Sequence, residues 1–342
     1  MTQAIVLQGC EPVLLPYDPL GFEKLETTYP DVVIEGLLRR KEIILMGGQA
    51  KRWKSWARAD MLYCIGNGFK WLKFPTHQGM VIHFDLELLE ADLRWRFDQI
   101  HQSYRKEGFN GTLDNLRFVP LRGQPFSMTD LESWLDQLKA DKFSCASLDP
   151  IYRLLATQSE SDQAAVASLL NRFLNLGSQI DTAIALLQHF AKGDPSLKDA
   201  QDRFSGSGVW ARYPDSLMTF TDHQDEHCFT CEFILRSFQP IEPFTVRWEF
   251  PRFRVDEALD PTQLKTTGRP KQSTAEQLCS ILTTGEFVSH ADLCRRAQKI
   301  LGISEATFNR RLREAKTANL LFLSKIENAY GLSPEYCKRN GQ

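Results

Sequence analysis

An α/β fold is what this sequence predicts: a mostly parallel sheet with helices on both faces, followed by a small module of three helices and a hairpin. Three observations carry it. Short apolar runs alternate with amphipathic helical stretches from Glu42 to His189, the pattern of a parallel sheet buried on both sides. Two later runs, Phe229–Phe238 and Phe244–Phe250, read as antiparallel strands at one edge. After Pro251 the composition turns polar, and a new helical pattern begins at Thr274. The chain has 342 residues, 42% hydrophobic and 25% charged, enough for two domains.

The elements follow in order. Val33–Leu38 is an apolar lead-in, then Glu42–Met46 a buried strand and about Ser55–Ile65 a helix, stopped by Gly66-Asn67-Gly68. Met80–Phe84 is a second buried strand, and a helix with repeating Leu, Trp and Phe runs over about Glu90–Glu107. Leu116–Pro120 is a short strand, and Ser127 opens an amphipathic helix over Met128–Ala140. Cys145–Leu148 is a strand, Ala164–Gly177 a helix and Thr182–His189 a strand. Pro261, Gly268 and Pro270 break any regular pattern before Thr274. Helices are then expected at Thr274–Leu282, Ser289–Leu301 and Ser304–Ala318. Leu320–Lys325 and Ala329–Leu332 form a hairpin turning at Glu327-Asn328. Helix, helix, helix, hairpin is the order of a winged helix-turn-helix. The expected domains are residues 1–255 (with an extension over 1–32), a linker over 256–273, and the second domain over 274–342.

Composition excludes some classes. A formal net charge of −2 offers no global attraction to nucleic acid, so charge matters only by region. No apolar run approaches the ~18 residues of a spanning helix, and Met1-Thr2-Gln3 opens no signal pattern. A cytoplasmic protein with no membrane partner is expected. The eight cysteines are scattered, as reduced buried thiols are. Cys228 and Cys231 form the one CxxC, but they lie in a strand-like run, which turns the sulfurs to opposite faces. No second pair completes a zinc site.

The most specific stretch is Gly48-Gln49-Ala50-Lys51-Arg52-Trp53-Lys54-Ser55, directly after the first core strand. A Walker A loop asks for Gly, four residues, Gly, Lys, then Ser or Thr. Gly48, Lys54 and Ser55 fill their places, and Trp53 stands where the second glycine belongs. Backbone N–H groups of such a loop surround phosphate oxygens, its lysine reaches the outer phosphates and its hydroxyl ligates Mg²⁺. The helix N-terminus adds its positive dipole. A surface turn between strand and helix is the competing reading, so partners decide. Glu87 follows the second strand, suited to orienting an attacking water, and Asp149 ends Cys145–Leu148, suited to Mg²⁺. Gln188-His189 ends another strand, where a polar pair senses a γ-phosphate. Each alone reads equally as a solvated or hydrogen-bonded residue. Their shared placement at carboxyl ends of strands is the argument, since ligands of open α/β sheets bind there. Lys192 and Lys198 flank a polar loop. Arg212 follows a glycine-serine turn, as a mobile arginine finger does, with a salt bridge to Asp215 as the rival reading.

These pieces together resemble the RepA-type branch of RecA-like ATPases of plasmids, phages and other mobile elements, the AAA_25 family. The resemblance is carried by Val33-Ile34-Glu35-Gly36-Leu37, the loop around Lys54-Ser55-Trp56, Trp71-Leu72-Lys73-Phe74 and Val81–Glu87. It continues through Leu148-Asp149-Pro150-Ile151-Tyr152, Gln188–Gly193 and Arg203–Arg212, spanning about Val33 to Phe253. It implies a RecA-like core, ATP with Mg²⁺ as cofactors, hydrolysis, and homo-oligomers of hexameric-ring type that unwind DNA. It further implies Lys54 and Ser55 on phosphate and Mg²⁺, Glu87 as catalytic carboxylate and Asp149 as Walker B. His189 is then the sensor and Arg212 the finger, and Arg94 or Arg96 a further phosphate contact. Trp53 departs from the pattern and puts hydrolysis, more than binding, in question.

From Ser289 onward ten bases face five acids, an excess of +5 against −2 for the whole chain. Ser304 caps a helix that sets Asn309, Arg310, Arg313 and Lys316 on or near one exposed face. A recognition helix presents such residues to DNA, and a protein-binding wing is the alternative. Lys265, Arg269 and Lys271 extend the basic character upstream. The expected function is an ATP-hydrolysing, DNA-associated protein of RepA-like helicase type, serving replication or maintenance of a mobile element. The alternative is a non-motor regulator or assembly protein switched by nucleotide.

Overall fold

The computed structural model describes residues 29–137, 142–155, 158–191, 193–204, 208–266, 273–324 and 326–339. The chain divides into two compact units, with the division between Thr266 and Thr267. The first unit opens with β1 (Val32–Ile34), β2 (Leu38–Arg39), β3 (Ile43–Gly48) and α1 (Lys54–Asn67). Next come β4 (Val81–Asp85), α2 (Glu90–Lys106), β5 (Leu116–Pro120), α3 (Met128–Gln137) and β6 (Cys145–Asp149). It continues with α4 (Gln163–Gln179), β7 (Ala183–His189), α5 (Val209–Arg212) and β8 (Ser216–Asp222). The antiparallel strands β9 (Cys228–Leu235), β10 (Phe244–Glu249) and β11 (Arg252–Val255) complete it.

Nine strands form one sheet in the order β11-β10-β9-β8-β3-β7-β6-β4-β5. The six from β8 to β5 are parallel to one another, and β9, β10 and β11 run antiparallel on the β8 side. The mostly parallel sheet expected from the sequence is present. Its strands are apolar on both faces, and successive side chains divide between two cores. Ile44, Met46, Ala185 and Leu187 pack with α1 and α2 on one face. Ile43, Leu45, Ile184 and Leu186 pack with α3 and α4 on the other. The parallel register sets Gly48 beside His189 and Asp85 beside Asp149, which brings four strand ends to one edge.

Two strands of the nine-stranded sheet differ from the sequence expectation. No strand was expected between His189 and Phe229, yet β8 is wholly buried. Its hydroxyl residues disguise it, and each is satisfied inside. Ser216 Oγ donates to Leu37 O, and the buried guanidinium of Arg203 donates to Thr221 Oγ1 at 2.9 Å. The other is β11, which pairs with β10 beyond the cis Phe250-Pro251 peptide. The expected linker also begins too early. Lys265 N donates to Asp222 O and Thr230 Oγ1 to Pro261 O, so residues 256–265 are tied to the sheet. Arg269 and Lys271 lie outside the described residues, as do Lys192, the Ser205-Gly206-Ser207 turn and Lys325.

The second unit comprises α6 (Ala275–Cys279), α7 (His290–Leu301), α8 (Glu305–Thr317), β12 (Leu321–Ser324), β13 (Ala329–Leu332) and α9 (Pro334–Arg339). Thr274 and Gln277 make a capping box for α6, Ser289 caps α7, and Ser304 caps α8. Gly302 (φ 65°) ends α7 in the left-handed region that glycine adopts without a Cβ clash. Leu293, Ala297, Phe308, Leu312 and Leu321 form its core.

Candidate nucleotide site

The loop after β3 is built on close approaches. A Cβ on Gly48 would stand 2.8 Å from Lys54 Cδ and 2.8 Å from Phe220 O, so only glycine lets the lysine stem cross the strand end. Lys51 (φ 58°) and Trp53 (φ 54°) both take left-handed backbone. For a bulky residue that conformation costs about 1–2 kcal/mol. The indole of Trp53 offsets it by stacking on Trp248 of β10, with centroids 5.5 Å apart and planes 12° apart, and by meeting Phe229 edge-on at 6.0 Å. The residue in the glycine position therefore stacks on β10 while adopting glycine's dihedrals.

Around this loop lies a cleft of about 350 Å³. Ala50 through Ser55 line it, together with Glu87, Leu88, Arg96, Asp149, Leu187, Gln188 and His189. The sequence-predicted loop, carboxylates and histidine thus meet at one place. Gly48 and Gln49 stand behind them, and Lys54 Nζ donates to Gln49 O. Lys54 is 5% exposed, and burial draws its ammonium down to about 8 against the charges of Asp149, Asp222 and Glu87. His189 Nδ1 lies 3.4 Å from Lys54 Nζ, and burial, then the lysine charge, lowers its pKa. Gln188 also lines the cleft, its amide donating to Glu160 Oε2 at 3.0 Å.

Beneath the cleft sits a buried charge network. Arg58, on the same helix as Lys54, lies between Asp149 (3.1 Å) and Asp85 (3.9 Å). Asp85 Oδ1 accepts from the backbone N–H of Glu87 (2.9 Å) and Leu88 (2.7 Å), fixing the turn that carries Glu87. Burial works to raise Asp85, but His83, Arg58 and the Leu88 amide outweigh it and hold the carboxyl well below the usual range. Glu87 itself is exposed and accepts from Tyr152 Oη at 2.9 Å. Arg58 and Asp85 escaped the sequence reading. Their one signal is spacing, Arg58 one helical turn past Lys54 and Asp85 ending the strand before Glu87.

Of the two arginines left open, Arg96 lines the cleft, and its guanidinium lies 4.7 Å from the Trp56 ring. Arg94 is 75% exposed and pairs with Glu90 at 2.7 Å. Arg52 also lines the cleft, and its Nη2 is 2.8 Å from Asp222 Oδ2. Arg212 does not join the cleft. It precedes β8, whose first residues pair with the start of β3, whereas the cleft lies at the end of that strand. Six residues of strand separate the two edges, about 20 Å. Asp215 does not hold Arg212 either: it pairs with Arg236 at 3.3 Å and accepts from Ile43 N at 2.9 Å.

Do these residues suit a nucleoside triphosphate with Mg²⁺? The donor set does. The first N–H groups of α1 lack intrahelical acceptors, Lys54 supplies a buried cation, and Arg96 Nη1 is buried with no acceptor among the described residues. Ser55 and Asp149 add the oxygen donors a hydrated Mg²⁺ takes.

A family model described as AAA domain, AAA_25, matches residues 11–195, more than half the chain. The chain belongs to the AAA_25 family. The AAA_25 resemblance drawn from the sequence motifs is thereby borne out, and the chain carries a nucleotide-binding ATPase domain of that class. No curated protein matches it. Among solved structures, one described as an ATPase domain is similar at 11% identity and a TM-score of 0.44, over 61% of this chain and 82% of that one.

In the second unit Arg310, Arg313 and Lys316 are exposed on α8, whereas Arg311 is buried against Glu314 at 2.7 Å. Asn309 is half-buried, its Oδ1 3.0 Å from His290 Nε2. Among the described residues no helix is long and apolar enough to cross a membrane.

Proposed function

We propose that this chain binds ATP with Mg²⁺ at the cleft after β3, hydrolyses it, and uses the cycle to act on DNA as a RepA-like helicase in a mobile element. One observation carries the reading: a single cleft gathers Lys54, Ser55, Glu87, Asp149, His189 and Arg96 at the carboxyl ends of adjacent strands. Lys54, Arg96 and the first amides of α1 would hold the phosphates, and Ser55 and Asp149 the metal. Bound Mg²⁺ would offset phosphate charge that the protein leaves uncompensated. Glu87 is exposed in the cleft and oriented by Tyr152, a fit for holding a water as general base. His189 stays neutral beside Lys54 and can report whether that lysine is engaged.

Arg212 stands at the opposite edge of the sheet, so as a finger it would serve a neighbouring subunit's cleft, as a homo-oligomeric ring requires. The second unit is proposed to be a winged helix whose α8 meets DNA through Asn309, Arg310, Arg313 and Lys316. Its bonds between Val288 and Tyr330, which add a third strand segment to the β12–β13 hairpin, support that.

The test is ATP turnover with and without single-stranded DNA, run beside a mass measurement. Turnover that DNA stimulates, and that Lys54→Ala and Glu87→Gln abolish, supports a motor. Trp53 favours a second reading, a non-motor regulator switched by nucleotide, since the indole anchors the loop to β10. That protein would bind ATP and DNA with little turnover and displace no strand.

A further inference from the structure

Beside the cleft lies a second cavity of about 150 Å³, and the two share Arg52 and Trp53. Its wall includes Asp222, the last residue of β8, which is 5% exposed. One carboxylate oxygen, Oδ2, is held by Arg52. The other, Oδ1, is buried and accepts no hydrogen bond among the described residues. Buried acceptors in folded proteins are nearly always satisfied, and an ionised one without a donor is costly. Burial duly raises the Asp222 carboxyl against the opposing charges of Arg52, Lys265 and Lys54. No described residue supplies that donor, which leaves a place for one on a bound ligand.

Chemistry narrows the donor. The carboxylate's charge repels another phosphate. The Oδ1 acceptor matches a single N–H, which the 6-amino group of adenine offers at the end of the molecule remote from its phosphates. Guanine presents two adjacent N–H groups and asks for both carboxylate oxygens, one of which Arg52 already occupies. Trp53 supplies an aromatic wall where the cavities meet, a surface suited to a purine face. We propose that this cavity is the base subsite of the nucleotide cleft, with Asp222 Oδ1 accepting from the 6-amino group of adenine. The proposal rests on the reading of the larger cleft as a triphosphate site.

Calorimetric titration of the full chain with ATP, ITP, GTP and tripolyphosphate, each with Mg²⁺, tests it. The native protein should bind ATP at least about tenfold more tightly than ITP, whose 6-oxo group is an acceptor, and than GTP. Asp222→Asn, able to donate to a 6-oxo group, should bring the ATP-to-ITP ratio to about one or invert it. Using the ratio within each variant cancels any change in the grip on phosphate. ATP and ITP binding alike, while tripolyphosphate still binds, would overturn the base subsite and leave the phosphate site standing. A preference for GTP would overturn it too. Failure of both ATP and tripolyphosphate to bind would remove the two readings together. Should thermal melting show Asp222→Asn unfolded, the native ATP-to-ITP ratio decides alone.

Discussion

The cleft and α8 are both rich in basic side chains, but they hold charge in opposite ways. In and beneath the cleft, Lys54 and Arg58 are buried, with Arg58 set against Asp149 and Asp85 and Lys54 against Gln49 O and His189. On α8, Arg310, Arg313 and Lys316 stand in solvent, and among the described residues no ion pair engages Arg310 or Arg313. Burial removes the hydration that would otherwise compete with a ligand, so each buried charge is directed at one geometry. Exposed charges keep their hydration and their freedom, and they suit a partner that is itself a row of charges. On the proposed function, one region suits a small anion held in one pose and the other a polyanion held in many.

The largest effect should come from Glu87, exposed but aimed into the cleft. Glu87→Gln keeps the shape and removes the proposed base, so kcat should fall about 10²- to 10⁴-fold while ATP affinity stays within about twofold. A loss of affinity of the same size would make Glu87 part of the grip instead. Next comes Arg58, which separates two buried carboxylates without lining the cleft. Arg58→Ala leaves Asp149 without its ion pair and takes the cation from Asp85, which keeps its bonds to His83 and two amides, and should cost about 3–5 kcal/mol of stability, read from urea unfolding. An unchanged urea midpoint would mean that water replaces the guanidinium, and the contrast with α8 would fail.

On α8 the prediction reverses. Arg310→Ala with Arg313→Ala should leave the urea midpoint in place, weaken DNA binding about ten- to a hundredfold, and reduce the slope of log affinity against log salt by about two. DNA binding indifferent to both substitutions would assign this face to a protein partner.

How much of this could be read from the residues themselves divides along the same line. The cleft was legible because the parallel register aligns strand ends, so Gly48, Glu87, Asp149 and His189 could be assembled from their positions alone. The exposed face of α8 was legible from helical periodicity. What escaped was buried and polar. β8 reads as loop because Ser216, Thr219 and Thr221 interrupt it, and their partners Leu37, Arg203 and Glu232 are distant in sequence. The stack of Trp53 on Trp248 joins positions no local pattern connects, so the indole looked like a defect in the loop. Long-range pairing, set by strand order, was the missing information.

The smallest effect sharpens the comparison most directly, because it titrates a single buried charge. The Lys54 ammonium is drawn down to about 8 by burial, from an ordinary value of 10.5. Below that pH the lysine is charged and attracts a triphosphate, and above it the neutral amine does not. His189, lowered from its ordinary 6.5, is neutral throughout this range and adds nothing. ATP affinity should therefore fall about fourfold between pH 7 and pH 8.5, with proton uptake on binding near pH 8. Calorimetry in buffers of different ionisation enthalpy measures both. The exposed bases of α8 ought to give no such dependence for DNA over the same interval. Were ATP affinity flat from pH 7 to 8.5, water would have to solvate Lys54 in the open cleft, and the distinction between buried and exposed charge would lose its clearest case.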